Sequence, residues 1–372
     1  MTKTIQLLSI ITLLFFSGCS EKEETLPVGP CQTENFISEF QNRNFKMGFT
    51  SWPYAATVEA VSNTYDFIAS NGDIYTEHID NKIPWNAWIN NTSLPNEFTN
   101  EMDSKLAHKI PNIQLLLSVS LLNIDRSDLA EDIDGSIPNY SSLSDQHIED
   151  AYVKHIEYLV EAFQPNYLVI ALEVNELKIK APQKWNEYKE LIQAVKTQIK
   201  QTYPLLPLSE SITLHNYYQP EVANPEQYIE EITEYANQMD FVAISYYPFF
   251  KGQHSRAEFQ QAFDFLHSKI TKPIAFVETG HLAENLSVNS YNLFIESNEC
   301  EQNAYVETLL LNAQKQNYKF VIWWTHRDFD ALWETFPEEV KDLGKLWRDT
   351  GLLDENGVER VGYRTWEAVL SQ

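Results

Sequence analysis

Residues 241–280 read FVAISYYPFFKGQHSRAEFQQAFDFLHSKITKPIAFVETG, which is a short apolar segment, an amphipathic segment and a second apolar segment. Strands buried on both faces are nearly continuous runs of apolar residues, as FVAI and IAFV are here. Strand, helix and strand in this order are typical of a parallel sheet covered by helices. The same alternation extends in both directions and occupies the chain from Asn44 onward.

Eight such strand segments alternate with helical segments. The predicted strands are 45–52, 73–78, 113–122, 167–173, 206–215, 241–247, 273–278 and 320–326. The predicted helices are 57–70, 95–109, 145–163, 182–202, 225–239, 257–270, 300–316 and a last one at 337–347. This count predicts an α/β fold of the (β/α)8 TIM-barrel class, a single domain over residues 44–372. A doubly wound sheet is the alternative, but the sequence has neither GxGxxG nor GxxxxGK[ST].

The composition excludes several classes of protein and of partner. The 372 residues are 43% hydrophobic, which excludes disordered, collagen-like and disulfide-scaffold classes. Asp and Glu number 53 against 27 Lys and Arg, a formal charge of −26 that repels nucleic acid. Aromatic residues make up 13%, and they suit both a core and a surface that stacks on sugar rings.

The N-terminal stretch MTKTIQLLSIITLLFFSGC has one Lys, an apolar run too short to span a bilayer, and small residues before Cys19. Its ending resembles the lipobox of bacterial lipoproteins; an ordinary cleaved signal is the alternative. The resemblance implies a signal peptide at 1–18, a lipid anchor on Cys19 and a tether at 19–43. The acidic residues after Cys19 resemble the tag that sends some Gram-negative lipoproteins to the outer face of the outer membrane. A plain tether there predicts the periplasmic face instead.

The remaining cysteines are Cys31 and Cys300. In an oxidising compartment, an even pair can form a disulfide that closes a long loop, and the sequence leaves this open. There is no CxxC, no HExxH and no Cys/His cluster with zinc spacing, so we expect neither a metal nor another cofactor.

Polar and aromatic side chains collect at the carboxyl ends of the predicted strands. In a (β/α)8 barrel these ends surround one pocket, although a strand also turns polar simply where it stops. The candidates for this pocket are Trp52, His78, Glu173, Asn175, His215, Tyr246, Tyr247, Glu278 and His326. Trp85, in IPWNAW, is a candidate either for the cleft or for the core.

Two glutamates at strand ends match the needs of glycosidic bond cleavage with retention, which takes one carboxylic acid and one carboxylate. Glu278 closes PIAFVE on strand seven. On strand four, Glu173 ends a seven-residue strand, whereas Glu176 requires ten residues, which is long for a strand. Glu173 is therefore favoured, and Glu176, which directly follows Asn175, remains the alternative.

Four features of the sequence resemble the clan A glycoside hydrolases. They are the strand-four Glu, SYYPF on strand six, VETG on strand seven and the closing WRDTGLLDENGVERVGYRTW. SYYPF with VETG is most similar to the endo-beta-1,4-galactanases of glycoside hydrolase family 53. The resemblance implies a retaining enzyme with Glu278 as nucleophile and Glu173 as acid/base. It implies that Tyr246 or Tyr247 hydrogen-bonds the nucleophile and that Trp323 or Trp324 forms the floor of the sugar subsite. Further substrate contacts are expected from Trp52, His78, Trp85, His215 and His326.

One position departs from this family. The usual pattern has Asn directly before the acid/base, where this chain has Leu172. Strand alternation predicts Glu173 and Asn175 on one face, so that Asn175 can hold the sugar 2-hydroxyl instead. The sequence thus predicts a lipid-anchored glycoside hydrolase, without cofactor, whose partner is a plant or algal polysaccharide such as beta-galactan or a related beta-glycan. A catalytically inactive carbohydrate-binding lipoprotein on the same barrel is the alternative.

Overall fold

The computed structural model describes residue 31, residues 37–79 and residues 82–372. The predicted signal peptide and Cys19 lie outside this part of the chain, so their assignment stays a prediction. Cys31 and Cys300 are both disulfide-bonded. Within the described residues, no helix combines the length and the apolar character that crossing a membrane requires.

Parallel strands form the centre of the fold. They are β1 (Lys46–Thr50), β2 (Ile74–Ile79), β3 (Gln114–Val119), β4 (Tyr167–Val169), β5 (Leu208–Ser209 and Ser211–Thr213), β6 (Val242–Tyr246), β7 (Ile274–Thr279) and β8 (Phe320–Trp323). Neighbours along the chain pair side by side, and β1 pairs with β8. All eight strands lie within the predicted strand segments or extend them by one residue.

The ring of strands closes at β5, which Glu210 divides into two segments. The first segment pairs with β4 and the second with β6. The Ser211 backbone N–H also donates to the Ala171 carbonyl, and the Val174 N–H donates to the Ser211 carbonyl, so the chain after β4 follows both segments. These bonds complete the parallel (β/α)8 barrel, and the predicted fold class is confirmed.

Helices surround the strands. The long ones are α1 (Val58–Asn71), α2 (Asn96–Ala107), α3 (Gln146–Phe163), α4 (Trp185–Thr202), α5 (Pro225–Ala236), α6 (Arg256–Lys269), α7 (Glu299–Gln316) and α8 (Val361–Leu370). Short helices are Trp85–Asn90, Asn175–Lys180, Leu214–Tyr218, Asp330–Trp333 and Glu338–Gly344, and 3-10 turns are Ile37–Phe40, Pro182–Lys184, Pro248–Lys251, Asn289–Tyr291 and Lys345–Trp347. After β7, Leu286–Val288 and Leu293–Ile295 form an antiparallel hairpin.

The two faces of each strand have different surroundings. Side chains that fill the barrel interior form one apolar cluster, which includes Ile74, Leu116, Val169, Phe241, Ala243, Ala275, Val277, Phe320 and Ile322. The opposite faces pack on the helices in a second, larger cluster. Gly48 on β1 allows the close approach of β2, because a Cβ atom there would lie 1.6 Å from the Ile74 carbonyl oxygen. The filled interior makes the barrel a core, and its mouth is left for a site.

Local sequence explains where helices begin. α6 starts with a capping box, in which the Ser255 hydroxyl accepts from the Glu258 backbone N–H and the Glu258 carboxylate accepts from the Ser255 backbone N–H. α1 starts at Thr57, whose hydroxyl accepts from the Ala60 N–H. Both caps lie after the loops that follow strands β6 and β1, and they fix where each helix begins.

Candidate active site

Strand β6 and the residue directly after it make the two contacts that hold the acids at the mouth of the barrel. The Ser245 hydroxyl donates to Oε1 of Glu173 at 2.8 Å, and the Tyr247 hydroxyl donates to Oε1 of Glu278 at 2.5 Å. Residues two apart on a strand project to the same face. Ser245 therefore holds Glu173, which follows β4, and Tyr247 holds Glu278, near the end of β7. Both acids lie at the carboxyl end of the barrel.

Glu278 reaches the mouth through an irregularity in β7. Ile244 of β6 pairs with Phe276, but the next residue, Ser245, pairs with Glu278, so β7 contains one extra residue. Such a bulge turns the side chain beyond it to the other face of the sheet. Phe276 packs in the helix-facing cluster, whereas Glu278 contacts Tyr247 and lies 3.8 Å from Nδ1 of His78 through its other oxygen.

Tyr247 is built to remain a hydrogen-bond donor. Its ring is buried, and burial together with the negative charges of Glu278 and Glu173 raises its pKa well above the usual value. Both carboxylates therefore act on this one hydroxyl. The prediction that a strand-six tyrosine contacts Glu278 fits Tyr247 and not Tyr246.

Glu173 stands where the chain turns out of β4. Its φ is 54°, in the left-handed region, and its backbone N–H donates to the Ser211 hydroxyl at 2.8 Å. Its second carboxylate oxygen lies 3.3 Å from Nε of Arg126. Burial alone would raise the pKa of Glu173, but the Arg126 charge, the Ser245 hydrogen bond and the nearby His215 outweigh it and hold the pKa below its usual value.

Glu176, the alternative on strand four, has a different set of partners. It lies on the short helix after β4 and accepts hydrogen bonds from the Thr213 hydroxyl and, at 2.7 Å, from the Asn216 amide. Nζ of Lys180 is 3.8 Å away. Burial lowers the pKa of His215, and the charges of both Glu176 and Glu173 act against this shift. The Ser245 contact with β6 thus belongs to Glu173, whereas the partners of Glu176 lie at the end of β5 and on the short helices after β4 and β5.

Asn175 does not face the sugar site, and that prediction is wrong. Its side chain is fully buried; its amide donates to the Thr213 carbonyl and to the Tyr228 hydroxyl, and its oxygen accepts from the Thr213 N–H at 2.7 Å. The strand alternation on which the prediction relied ends at Val169, and the left-handed turn at Glu173 changes the direction of the residues that follow.

Four predicted substrate contacts are instead packed inside the protein. The indole N–H of Trp85 donates to the Ala130 carbonyl, the Tyr246 hydroxyl to Gln253, and the indole N–H of Trp323 to the Thr350 carbonyl. All three side chains are fully buried in the helix-facing cluster. His326 is buried against the rings of Phe67 and Tyr54, and burial lowers its pKa to about 3, with Arg327 adding to the effect. These residues are corrected to core positions.

The remaining predicted contacts surround Glu278 and Glu173. Trp324, which follows β8, lies with its ring centroid 5.2 Å from Trp52 and 5.8 Å from the ring of His78. All three side chains are partly exposed. The ring of His215 packs on Phe250, which follows β6. Together they give the mouth an aromatic lining beside the two acids.

Several residues at the mouth were not expected from the sequence. Phe250 and Trp347, whose ring centroids are 5.7 Å apart, extend the aromatic lining beyond Tyr247. Arg126, in the loop after β3, contacts Glu173, and Ser245 hydrogen-bonds it. Ser245 was within reach of sequence reasoning, because it precedes Tyr246 by one position on the same strand. The loop residues carry no periodic pattern that marks them.

Acidic residues after β7 and β8 lie close enough to hold a cation. Among the described residues they form two overlapping groups, Glu284, Asp328 and Glu355, and Asp328, Asp330 and Asp349. Two arginines already pair with them: Nη2 of Arg360 lies 2.7 Å from Asp328, and Nε of Arg348 lies 2.7 Å from Asp349. The arrangement is a network of ion pairs that joins the loops after β7 and β8.

The comparisons with known proteins agree with this geometry. Residues 159–318 match the model of Glycosyl hydrolase family 53. The matched segment is less than half of the chain, but it runs from the end of α3 to just beyond α7 and so contains β4 to β7 and both acids. No curated protein matches the sequence.

Solved structures of glycoside hydrolases share the fold at low sequence identity. The exo-beta-1,4-mannosidase Op5Man5 from Opitutaceae bacterium strain TAV5 has a TM-score of 0.60 at 12% identity; the match covers 88% of this chain and 59% of that one. A GH5_18 variant from Bifidobacterium longum subsp. longum ATCC 55813 in complex with Manb1-4GlcNAc has a TM-score of 0.62 at 13% identity, covering 88% and 78%. The GH53 catalytic domain of Ignisphaera aggregans has a TM-score of 0.58 at 14% identity, covering 88% and 96%.

Fold and family match together give the class that this chain resembles: it is a (β/α)8 barrel, as in the solved glycoside hydrolase structures, and residues 159–318 are similar to a glycoside hydrolase family. Within that class the chain is similar to family 53, over the segment that contains the two acids. It spans 59% of the length of the mannosidase Op5Man5 and nearly the whole length of the GH53 domain.

Proposed function

We propose that this protein hydrolyses a beta-glycan with retention of configuration, using Glu278 as nucleophile and Glu173 as acid/base. The observation that carries the proposal is the pair of hydrogen bonds from β6, Ser245 to Glu173 and Tyr247 to Glu278. Retaining glycosidases hold their two carboxyl groups about 5 to 5.5 Å apart. Ser245 and Tyr247 lie two positions apart along the chain, and this spacing suits carboxyl groups at that separation.

In the first step, a carboxylate oxygen of Glu278 attacks the anomeric carbon. The bond from that carbon to the leaving oxygen breaks, and the carboxyl proton of Glu173 passes to the leaving oxygen. The hydroxyl of Tyr247, which stays protonated, donates to Glu278 and keeps its oxygen oriented for the attack. The product of this step is a glycosyl ester on Glu278.

In the second step, Glu173 is ionised and takes a proton from a water molecule. The water oxygen attacks the anomeric carbon, and the ester bond to Glu278 breaks. Two inversions at one carbon leave the product with the configuration of the substrate. His78, 3.8 Å from Glu278, and the ring of Trp324 are placed to contact the sugar at this carbon.

The substrate class we propose is a beta-galactan or a related beta-glycan of plant or algal type. The family 53 match supports beta-galactan, and similarity to the mannosidase and to the protein with bound Manb1-4GlcNAc supports beta-mannosides as the related class. Trp52, Trp324, Phe250 and Trp347 provide flat apolar surfaces on which sugar rings can stack.

A non-catalytic carbohydrate-binding protein is the second candidate. Two observations favour it: Leu172 stands where the family has an amide before its acid/base, and Arg126 favours the ionised form of Glu173. The aromatic lining serves a binding protein equally well.

Hydrolysis tests distinguish the two candidates. Wild type, Glu278→Gln and Glu176→Gln are incubated with beta-1,4-galactan, beta-1,4-mannan, beta-glucan and arabinogalactan, and reducing ends are counted. We expect cleavage of one polymer, a loss of at least about 10³-fold in Glu278→Gln, and a much smaller loss in Glu176→Gln, the matched control. If wild type binds one of these polymers and cleaves none, the protein is a carbohydrate binder.

We also propose that the protein is a lipoprotein of the outer membrane of a Gram-negative bacterium, anchored through Cys19. The lipobox-like sequence and the acidic residues after Cys19 support this location. The disulfide-bonded state of Cys31 and Cys300 is consistent with it, because disulfides persist in oxidising compartments.

A further inference from the structure

The loop after β3 is folded so that it presents one arginine to the barrel mouth. Leu122 and Leu129 form an antiparallel bridge, and the Asn123 backbone N–H donates to the Asp128 carbonyl. Arg126 lies at the tip with a φ of 59°, in the left-handed region that is unfavourable for side chains other than glycine. Its backbone N–H donates to the Asn123 carbonyl at 2.9 Å, which closes a tight turn.

The guanidinium of Arg126 is turned back from this tip into the protein. Nη1 donates to the Ser120 hydroxyl at 3.1 Å and to the carbonyl oxygens of Asn123 and Leu122 at 3.2 and 3.5 Å. Nε donates to Glu173 at 3.3 Å. A buried guanidinium is costly unless its charge is paired, and among the described residues Glu173 pairs with it.

The neighbour of Glu173 in the chain cannot orient its carboxylate. Leu172 is buried among the apolar residues of the barrel interior and has no hydrogen-bonding group. The Glu173 carboxylate is instead oriented from β6 by Ser245 and from the loop after β3 by Arg126. The two contacts fall on different carboxylate oxygens, so together they fix the plane of the group.

We propose that Arg126 is a positioning residue for Glu173, that it orients this carboxylate together with Ser245, and that it sets the pH range of hydrolysis. The proposal rests on the proposed function of Glu173 as acid/base. Arg126 acts through Glu173 and need not touch the sugar.

The charges around Glu173 come from several elements. Arg126 faces it from the loop after β3 and His215 from the chain after β5. Tyr247, directly after β6, lies in the field of both Glu173 and Glu278, and Glu176 acts together with Glu173 on His215. Burial opposes ionisation of Glu173, yet the net effect lowers its pKa, with Arg126 as the strongest of the charges that lower it.

The direction of the pH effect follows from the first step of hydrolysis. That step needs protonated Glu173, so kcat/KM falls as the pH rises through its pKa. A lowered pKa places this alkaline limb at lower pH and makes the enzyme most active in acid. Removing the Arg126 charge takes away the largest of the effects that oppose burial, so the pKa of Glu173 rises and the limb moves to higher pH.

Two substitutions that remove the charge, Arg126→Met and Arg126→Gln, test the proposal against Arg126→Lys, which keeps it. The substrate is the polymer that wild type cleaves. We expect the alkaline limb of kcat/KM to move to higher pH by about one unit or more in Arg126→Met and Arg126→Gln, and to stay close to that of wild type in Arg126→Lys. Gln retains a hydrogen-bond donor and guards against a folding defect of Met. A uniform loss of activity with an unchanged limb would overturn the proposal.

A second measurement is independent of turnover. Protein with ¹³C-labelled glutamate carboxyl groups is titrated by NMR, and the Glu173 signal is identified by its absence in Glu173→Gln. The proposal expects its pKa to rise in Arg126→Met and is overturned if the pKa stays unchanged. If wild type cleaves no polymer, the proposed function fails. This titration still decides whether Arg126 lowers the pKa of Glu173.

Discussion

Tyr246 and Tyr247 are adjacent and chemically identical, and the structure gives them opposite environments. Tyr246 points to the helices, where its hydroxyl donates to Gln253, whereas Tyr247 points to the mouth, where its hydroxyl donates to Glu278. Adjacent residues of a strand face opposite sides, so only one of the two tyrosines can contact Glu278. The sequence does not show which one. The position of the extra residue in β7 determines the answer, and that residue follows from the pairing of strands, which is a long-range property.

Replacing Tyr247 tests its role directly. Tyr247→Phe removes a hydrogen bond to a charged group, typically about 1.5 to 3 kcal/mol, so we expect kcat to fall roughly 10- to 100-fold with a small change in KM. Tyr246→Phe is the matched control and should keep kcat within about threefold. The readout is steady-state kinetics on the polymer cleaved by wild type; equal losses in the two variants would contradict the role of Tyr247.

The strands were the most predictable elements and the last helix the least. Apolar runs buried on both faces, such as FVAI and IAFV, mark strands clearly. Residues 338–344 form a helix within the predicted segment 337–347, but α8 (Val361–Leu370) follows it and completes the barrel. It was missed because it is short and its buried face is mixed, including Gly362 and Thr365 beside Trp366. The contact of Arg126 with Glu173 could not be predicted, because the sequence of the loop has no periodic pattern that marks it.

The packing of α8 gives a stability prediction. Trp366 is fully buried and its ring lies against Phe49 of β1 and Trp323 of β8. Trp366→Ala should therefore lower the free energy of unfolding by about 3 to 5 kcal/mol, measured by urea denaturation. Leu205→Ala serves as control, because Leu205 is 93% exposed, and should change stability by less than about 0.5 kcal/mol. A loss below about 1 kcal/mol in Trp366→Ala would mean that α8 is not part of the barrel core.

At the scale of the whole molecule, the (β/α)8 class followed from the count of strands and helices, and placement of the two acids at one end followed from the class. The carboxylate of Glu278 and that of Glu173 lie there, held from β6. Which aromatic residues line the mouth could not be predicted, since Trp85 and Trp323 look like Trp324 and Trp347 in the sequence. Burial distinguishes them, and burial depends on the packed structure.

The location of the protein is tested on the intact chain in a Gram-negative host. We expect wild type to incorporate a clickable palmitate analogue and to fractionate with the outer membrane, because acylated Cys19 inserts its chains into the bilayer. Cys19→Ala should lose both the label and the membrane association. Unlabelled wild type in the soluble fraction would show that the N-terminal segment is an ordinary cleaved signal.

The central claim is that Glu278 forms a covalent bond to the sugar, and mass spectrometry of the trapped intermediate tests it most directly. Wild type is incubated with the 2-deoxy-2-fluoro dinitrophenyl beta-glycosides of galactobiose and mannobiose, digested and sequenced. We predict that one of them adds a single fluoroglycosyl group, and that it is attached to Glu278. A label on another residue, or polymer hydrolysis that yields the inverted anomer without any label, would contradict the account.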